Sequence, residues 1–290
     1  MRAGSARLRG VLFGHGHMGR HHARHLGARD DVELVVVDPA QGLAWPAGLR
    51  PDFAVVATPT ATHVDVALPL LDDGLPCLVE KPVAHSVAAA RRLEAYPHLV
   101  VGHIERFNPA LDGLWELEHR WVEAERLAPV GGRGLDMDVL DDLMVHDLDL
   151  ARALLGGELR DVRASGVGVV TGSADIVNAR LELGVGVASL TASRVSRRAR
   201  RTLRLVGDGC YWSIDLAARA VTRVRWGDGA LDGESLPVAA ADPLARELDA
   251  FLAMVRGEAP AAVTGADGRA ALELAAAVRG ALAPSTPQPP

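Results

Sequence analysis

Apolar residues follow two different grammars along the chain. A short apolar run over Leu8–Phe13 is followed by glycines and by a helical pattern over His21–Leu26, so the chain opens as strand, tight turn and helix. Residues 32–38 and 52–59 are continuous apolar runs of the kind a parallel sheet buries on both faces. A helical pattern over His63–Leu71, the strand LPCLVEK (75–81), a helix near Ser86–Glu94 and the strand HLVVGHIE (98–105) continue the alternation. Strands alternating with helices imply right-handed βαβ units, and hence an α/β Rossmann fold with a doubly wound parallel sheet.

From about residue 120 the pattern changes. After a further helix near Pro109–Leu117 comes one strongly periodic helix, Val139–Leu155. The segments DVRASGVGVV, DIVNARLEL, VASLTASRV, RTLRLVG and CYWSIDL then read as an antiparallel meander. Two amphipathic helices, about Pro243–Val255 and Asp267–Leu282, close the chain. The expected organisation is a nucleotide-binding domain over 1–119 and an α+β domain with an open, mostly antiparallel sheet over 120–283. A tail over 284–290 is too rich in proline to fold. No internal repeat is visible.

With 290 residues, 49% of them apolar, the chain can bury two modest cores. It lacks an eighteen-residue apolar run, and its first residues do not form a signal-peptide pattern, so a cytoplasmic protein without a membrane partner is expected. A net charge of −6 gives no argument for nucleic acid. Cys77 and Cys210 lie in apolar strand-like segments without CxxC spacing, as buried reduced thiols do. One local exception in charge is the run Arg194, Arg197, Arg198, Arg200, Arg201 and Arg204, which reads either as a solvated turn or as a phosphate-contacting loop.

Gly14, Gly16 and Gly19 form GHGHMG directly after a strand and at the mouth of a helix. There the first glycine makes the turn, the second admits a pyrophosphate and the third lets helix and strand close-pack. Asp38 ends the second apolar strand about twenty residues on, where a carboxylate accepts hydrogen bonds from the adenosine ribose. A 2′-phosphate there meets like charge, and no arginine stands beside Asp38, so NAD is favoured over NADP. His15, His17, His21, His22 and His25 crowd this segment, but no carboxylate or cysteine accompanies them locally and no metal is expected.

The ordered set GHGHMGRHHARHL, ATPTATH (57–63), Glu80-Lys81-Pro82 and a later Asp-x-x-x-His-x-x-Asp helix resembles the Gfo/Idh/MocA family of oxidoreductases over nearly the whole chain. The resemblance implies that Lys81, Asp142 and His146 surround the nicotinamide ring and the reacting carbon. It further implies that His17 and Met18, Thr58, Pro59 and His63, and Glu80 with Lys81 line the cofactor. Spacing adds that Asp142, His146 and Asp149 fall at i, i+4 and i+7, one stripe of a helix. The chemistry expected is oxidation of a secondary alcohol, with His146 as general base and acid, Lys81 stabilising charge on oxygen and Asp142 orienting substrate and imidazole.

Two segments, VGHIERFNPA (101–110) and DMDVLDDLMVHDLDLA (136–151), are most similar to the branch of the family that oxidises nucleotide-linked amino sugars such as UDP-N-acetylglucosamine. That similarity implies a sugar or nucleotide-sugar substrate met by His103, Arg106, Asn108, Asp142 and Asp149. A free polyol such as inositol, or a non-catalytic NAD-binding regulator, are the alternatives on the same fold. Between Asp38 and Phe53 the segment QGLAWPAGLRP is too short for the family's usual helix, strand and helix, so a shortened sheet edge is expected. Alternate apolar positions on the later strands point to a homodimer or homotetramer formed through the C-terminal sheet.

Overall fold

The computed structural model describes residues 7–131, 137–227 and 229–282, so the expected tail over 284–290 lies outside the described residues. In chain order the first elements are β1 (Leu8–Phe13), α1 (His17–Gly27), β2 (Val32–Val37), β3 (Phe53–Val56), α2 (His63–Asp72), β4 (Cys77–Glu80), α3 (Val87–Leu93) and β5 (Leu99–Gly102). They are followed by β6 (His119–Leu127), a π-helical turn (Leu140–Met144), α4 (Val145–Leu155), β7 (Leu159–Val167), β8 (Ile176–Leu183) and β9 (Gly186–Ser193). The last are β10 (Arg200–Gly207), β11 (Cys210–Asp215), β12 (Ala220–Gly227), β13 (Ala230–Leu236), α5 (Pro243–Val255) and α6 (Gly265–Ala281). Among the described residues no helix is long and apolar enough to cross a membrane.

The chain divides into two compact units, Met1–Phe107 with Ala241–Arg269, and Asn108–Ala240 with Ala270–Pro290. Helix α5, which the linear pattern assigns to the second domain, therefore belongs to the first unit. Its apolar stripe explains why: Leu244, Leu248, Phe251 and Leu252 join Leu12, Phe53, Leu78 and Val100 in one buried cluster. Phe251 meets Phe53 edge to face at 5.6 Å. Burying each ring contributes about 1.5–3 kcal/mol, more than a helix start would supply. Asp242 caps that start by accepting from the Leu244 and Ala245 N–H groups at 2.9 and 3.1 Å.

In the first unit all five strands run parallel in the order β2-β1-β3-β4-β5. Every residue of β3, β4 and β5 is buried, as continuous apolar strands covered on both faces must be. Between β2 and β3 there is only a three-residue 3₁₀ turn, Pro39–Gln41, so β2 is the edge and the expected shortening is present. In that connection Trp45 stacks on Phe13 with ring centroids 5.7 Å apart.

The second unit holds an eight-stranded sheet, β13-β12-β11-β10-β6-β9-β8-β7. It is mostly antiparallel, but it is not the simple meander expected. β6, unread in the sequence because its alternation is filled by charged residues, inserts between β10 and β9 and pairs with β9 in parallel. β12 and β13 also went unread, since β13 exposes nearly all of its residues and offers no apolar alternation. The expected helix over Pro109–Leu117 is instead a 3₁₀ turn, Pro109–Leu111. Its Ala110, Leu111 and Leu114 have helical spacing but are buried from an irregular segment.

One face of this sheet is apolar. Val122, Ala124, Val177, Ala179, Leu181, Ala188, Leu190, Leu203, Leu205 and Trp212 pack against Leu148, Ala151 and Leu154 of α4 and Leu274, Ala275 and Val278 of α6. The period of two along each strand produces it.

Candidate functional site

The first unit carries a glycine loop after the carboxyl end of β1. Gly14 adopts φ +88, and a Cβ there would lie 2.6 Å from the Ala57 carbonyl oxygen. A Cβ on Gly19 would lie 2.0 Å from the Gly14 oxygen, so α1 and β1 approach as only glycine allows. At Gly16, by contrast, a Cβ would meet nothing within 4 Å. Gly16 is also the N-cap of α1, and no side chain caps that helix or places an acid in its first turn. An open surface at an uncapped helix N-terminus suits a pyrophosphate, which takes up the unspent N–H groups and the positive helix end.

Asp38 organises this loop. Its Oδ2 accepts the His15 N–H at 2.7 Å and the Gln41 side-chain amide at 2.9 Å, and Gln41 also donates to the His15 carbonyl at 3.1 Å. Among the described residues its second oxygen takes no hydrogen bond. Next along the sheet end, Thr58 and Pro59 follow β3, with the Thr62 hydroxyl donating to the Thr58 hydroxyl at 2.9 Å. His17 is exposed and Met18 half-buried at the start of α1.

His63 and Glu80, expected at the cofactor, are both buried and hydrogen-bonded within the protein. His63 is 1% exposed, with Nε2 at 2.9 Å from the Thr58 carbonyl and Nδ1 at 2.9 Å from the Pro82 carbonyl. Burial pushes its pKa below the ordinary value against the pull of those carbonyls, and the ring acts as a strut joining the loops after β3 and β4. Glu80 is buried, and its carboxylate is used internally: Oε1 accepts from His22 Nε2 at 2.7 Å and Oε2 from the Lys81 backbone N–H at 3.2 Å.

Lys81 is half-buried directly after β4, ahead of a cis peptide bond to Pro82. It is also the only lysine in the chain: arginine supplies every other basic residue among the 31 lysines and arginines. That singularity is a signal the sequence carries. Where only charge is needed arginine serves, but a compact amine that can lose a proton has no arginine substitute.

His103, Arg106 and Asn108 were expected at the substrate. His103 is 1% exposed. Arg106 lies 3.4 Å from Asp267. Burial raises the Asp267 carboxyl, but the Thr264 N–H and hydroxyl, together with Arg106, hold it below the usual carboxylate range. Asn108 is buried in the second unit, donating to the Leu216 carbonyl at 3.0 Å and capping the Ala110 N–H at 3.1 Å.

The second unit carries Asp142 and His146, both half-buried, on a π-helical turn that runs directly into α4. Such π turns widen a helix locally and recur where side chains must be re-aimed. Two ionic anchors hold this segment. Arg279 on α6 donates to Asp138 at 2.9 Å and to Asp141 at 2.8 Å, and Asp138 accepts the Asp141 N–H at 2.9 Å. Beneath α4, Asp147 receives a forked contact from Arg126 of β6. Asp149, expected on the same stripe as Asp142 and His146, is only 2% exposed. Sequence reasoning missed Arg126, Asp147 and Arg279, whose signal was an arginine at an inward position of an alternating strand and acids flanking Asp142 and His146.

The basic segment is largely spent. Arg194 is buried and donates to the Met137 carbonyl at 2.7 Å, Arg200 pairs with Glu125 at 2.8 Å, and Arg204 pairs with Glu123. Arg197 and Arg198 are exposed beside Ser196 and Arg200, where they border an open depression.

Residues 41–96 match the model of the oxidoreductase family with an NAD-binding Rossmann fold, and residues 100–211 match that of the Gfo/Idh/MocA C-terminal domain. The chain belongs to the Gfo/Idh/MocA oxidoreductase family. It is 36% identical to UDP-N-acetylglucosamine 3-dehydrogenase of Acidithiobacillus ferrooxidans, covering 94% of this chain and 96% of that protein. A crystal form of that dehydrogenase superposes with a TM-score of 0.86, at 35% identity over 95% of this chain and 97% of the other. The inositol 2-dehydrogenase of Rhizobium meliloti is 27% identical over 92% of this chain and 95% of its own length. The Gfo/Idh/MocA chain described here is thus an oxidoreductase with NAD as its cofactor, and its glycine loop, open Gly16 face and Asp38 fit that dinucleotide.

Proposed function

We propose that the chain is an NAD-dependent dehydrogenase that oxidises a secondary hydroxyl of a nucleotide-linked amino sugar, with UDP-N-acetylglucosamine as the leading substrate. The observation that carries this reading is the 36% identity to a UDP-N-acetylglucosamine 3-dehydrogenase along nearly the full length of both chains. The retained Lys81, Asp142 and His146 support catalysis over a regulatory role, which has no chemical need for all three.

In this reading Gly14, Gly16 and Gly19 with the N-terminus of α1 receive the pyrophosphate, and Asp38 accepts from the ribose hydroxyls. Bound NAD⁺ supplies the hydride acceptor. His146 removes the hydroxyl proton, because an imidazole titrates near neutrality. Lys81 lowers the cost of negative charge developing on the same oxygen and shares the proton, and Asp142 orients substrate and imidazole. Arg197 and Arg198, exposed and without an acidic partner among the described residues, are suited to the diphosphate of such a substrate. The two free cysteines accord with a cytoplasmic enzyme. Exposed Tyr211, Trp226 and Leu231 on the second sheet support self-association into a dimer or tetramer.

A second reading, oxidation of a free polyol, is favoured by the likeness to inositol 2-dehydrogenase. NADH formation measured across free sugars, inositols and UDP-sugars separates the two. Turnover with UDP-N-acetylglucosamine supports the first, and silence with every UDP-sugar removes it.

A further inference from the structure

A second cluster of titratable groups lies in the first unit, directly behind Lys81. His22 on α1, Glu80 at the end of β4 and Glu247 on α5 are buried, and each presents a nitrogen or oxygen within 4.8 Å of the other two. Glu80 has both oxygens engaged, on His22 and on the Lys81 N–H. Gly102 of β5 leaves the room it occupies, since a Cβ there would lie 3.3 Å from Glu80 Oε2. Glu247 differs. It is 0% exposed, and neither of its oxygens has a hydrogen-bond partner among the described residues.

Two ionised carboxylates shut in together beside one imidazole are costly, so a cation or a proton must balance them. The contact between His22 Nε2 and Glu80 Oε1 discriminates. Two atoms bound at zinc distances of about 2.0–2.2 Å to one tetrahedral ion stand roughly 3.3 Å apart. At 2.7 Å these two share a proton in a charge-assisted hydrogen bond.

We infer that Glu247 serves as a neutral carboxylic acid that closes the buried space around Glu80 and so fixes the backbone from which Lys81 projects, making it a positioning residue for Lys81. The charged and titratable groups facing the pair agree. Burial, then the adjacent Glu80 charge, push the Glu247 carboxyl well above its ordinary range. Glu80, though burial alone would raise it, is drawn below its ordinary value by His22, Lys81 and His63. A role for Glu247 in positioning rests on the assignment of Lys81 to the chemistry, but its test needs no turnover.

Because the chain has one lysine, protein labelled with ¹³Cε-lysine gives a single reporter resonance. Glu247→Gln keeps shape and stays neutral, whereas Glu247→Leu removes the polar face. The Leu variant is expected to displace the Lys81 resonance and the Gln variant to leave it in place. Movement in neither variant, or equal movement in both, overturns the inference. A second measurement serves if Glu247→Leu does not fold. A carboxyl raised in the folded chain stabilises fully below its unfolded value of about 4.3, and that stabilisation is lost as pH rises toward the folded value. The Tm of Glu247→Gln minus that of wild type should therefore increase from about pH 5 to about pH 8. A constant difference, or a metal ion found at one per wild-type chain and lost in the Gln variant, overturns it.

Discussion

Arg126 of β6 grips Asp147 of α4 with Nε at 3.1 and 3.0 Å from the two carboxylate oxygens and Nη2 at 2.8 Å from one of them, both side chains being at most 4% exposed. A planar fork on a carboxylate fixes direction as well as distance. The neighbouring residue of α4 is His146, so the pair sets the height and rotation of the helix turn that carries the imidazole. Removing one partner leaves the other charge buried without its forked contact. Arg126→Met or Asp147→Leu is expected to cost about 3–5 kcal/mol in urea unfolding, while the double variant recovers most of it. Additive losses in the double variant would show that the two do not act as a pair.

Asp38 holds the glycine loop through the His15 N–H, and the proposed function assigns its remaining oxygen to the ribose. Asp38→Ala is expected to weaken NAD⁺ binding about tenfold or more, the scale of a hydrogen bond to a charged group, and to narrow the preference against NADP⁺. Titration calorimetry with both dinucleotides reads this directly. Unchanged affinity for both would remove Asp38 from the cofactor.

Much of this was legible in the sequence, for identifiable reasons. The glycine loop, Asp38 and Lys81 sit at strand ends whose apolar runs are unbroken, so local pattern and position coincide. The shortened edge followed from counting residues between Asp38 and Phe53. What escaped was non-local. β6 carries Arg126 at an inward position, which masks its alternation, and its parallel pairing with β9 depends on chain reversal no window contains. Glu247 and α5 pack on a sheet built from the other end of the chain. The burial of Asp149 and His63 was not legible either, because motif spacing does not report depth.

Asp175 stabilises the turn after β7. Its Oδ2 accepts the N–H groups of Val169, Val170 and Thr171 at 2.7, 2.6 and 2.9 Å, and Oδ1 accepts the Thr171 hydroxyl at 2.7 Å. Burial raises this carboxyl, but those donors outweigh it and hold it far below the carboxylate range. A depressed folded pKa gives stability that is present above the unfolded value of about 3.9 and is lost as pH falls through the folded one. The Tm gap between wild type and Asp175→Asn should thus be widest near neutrality and shrink as pH drops below about 4. A gap that widens in acid contradicts this.

Tyr211, Trp226 and Leu231 expose apolar surface on strands β11, β12 and β13, with Trp226 69% and Leu231 71% exposed. Wild type is expected to run as a dimer or larger species by light scattering, and Trp226→Arg with Leu231→Asp to shift it toward the monomer. A monomeric wild type removes the self-association proposal without touching the chemistry.

The roles of Lys81 and His146 are tested most directly by turnover set beside cofactor binding in Lys81→Arg, Lys81→Ala and His146→Ala. With NAD⁺ and UDP-N-acetylglucosamine, kcat should fall about 10²–10⁴-fold in all three, the range for loss of a positioned acid or base, while the Kd for NAD⁺ stays near that of wild type. Lys81→Arg is the sharpest of them, because it preserves the charge and removes only the proton that can be lost. NADH formation at the wild-type rate in Lys81→Arg or His146→Ala would contradict the account.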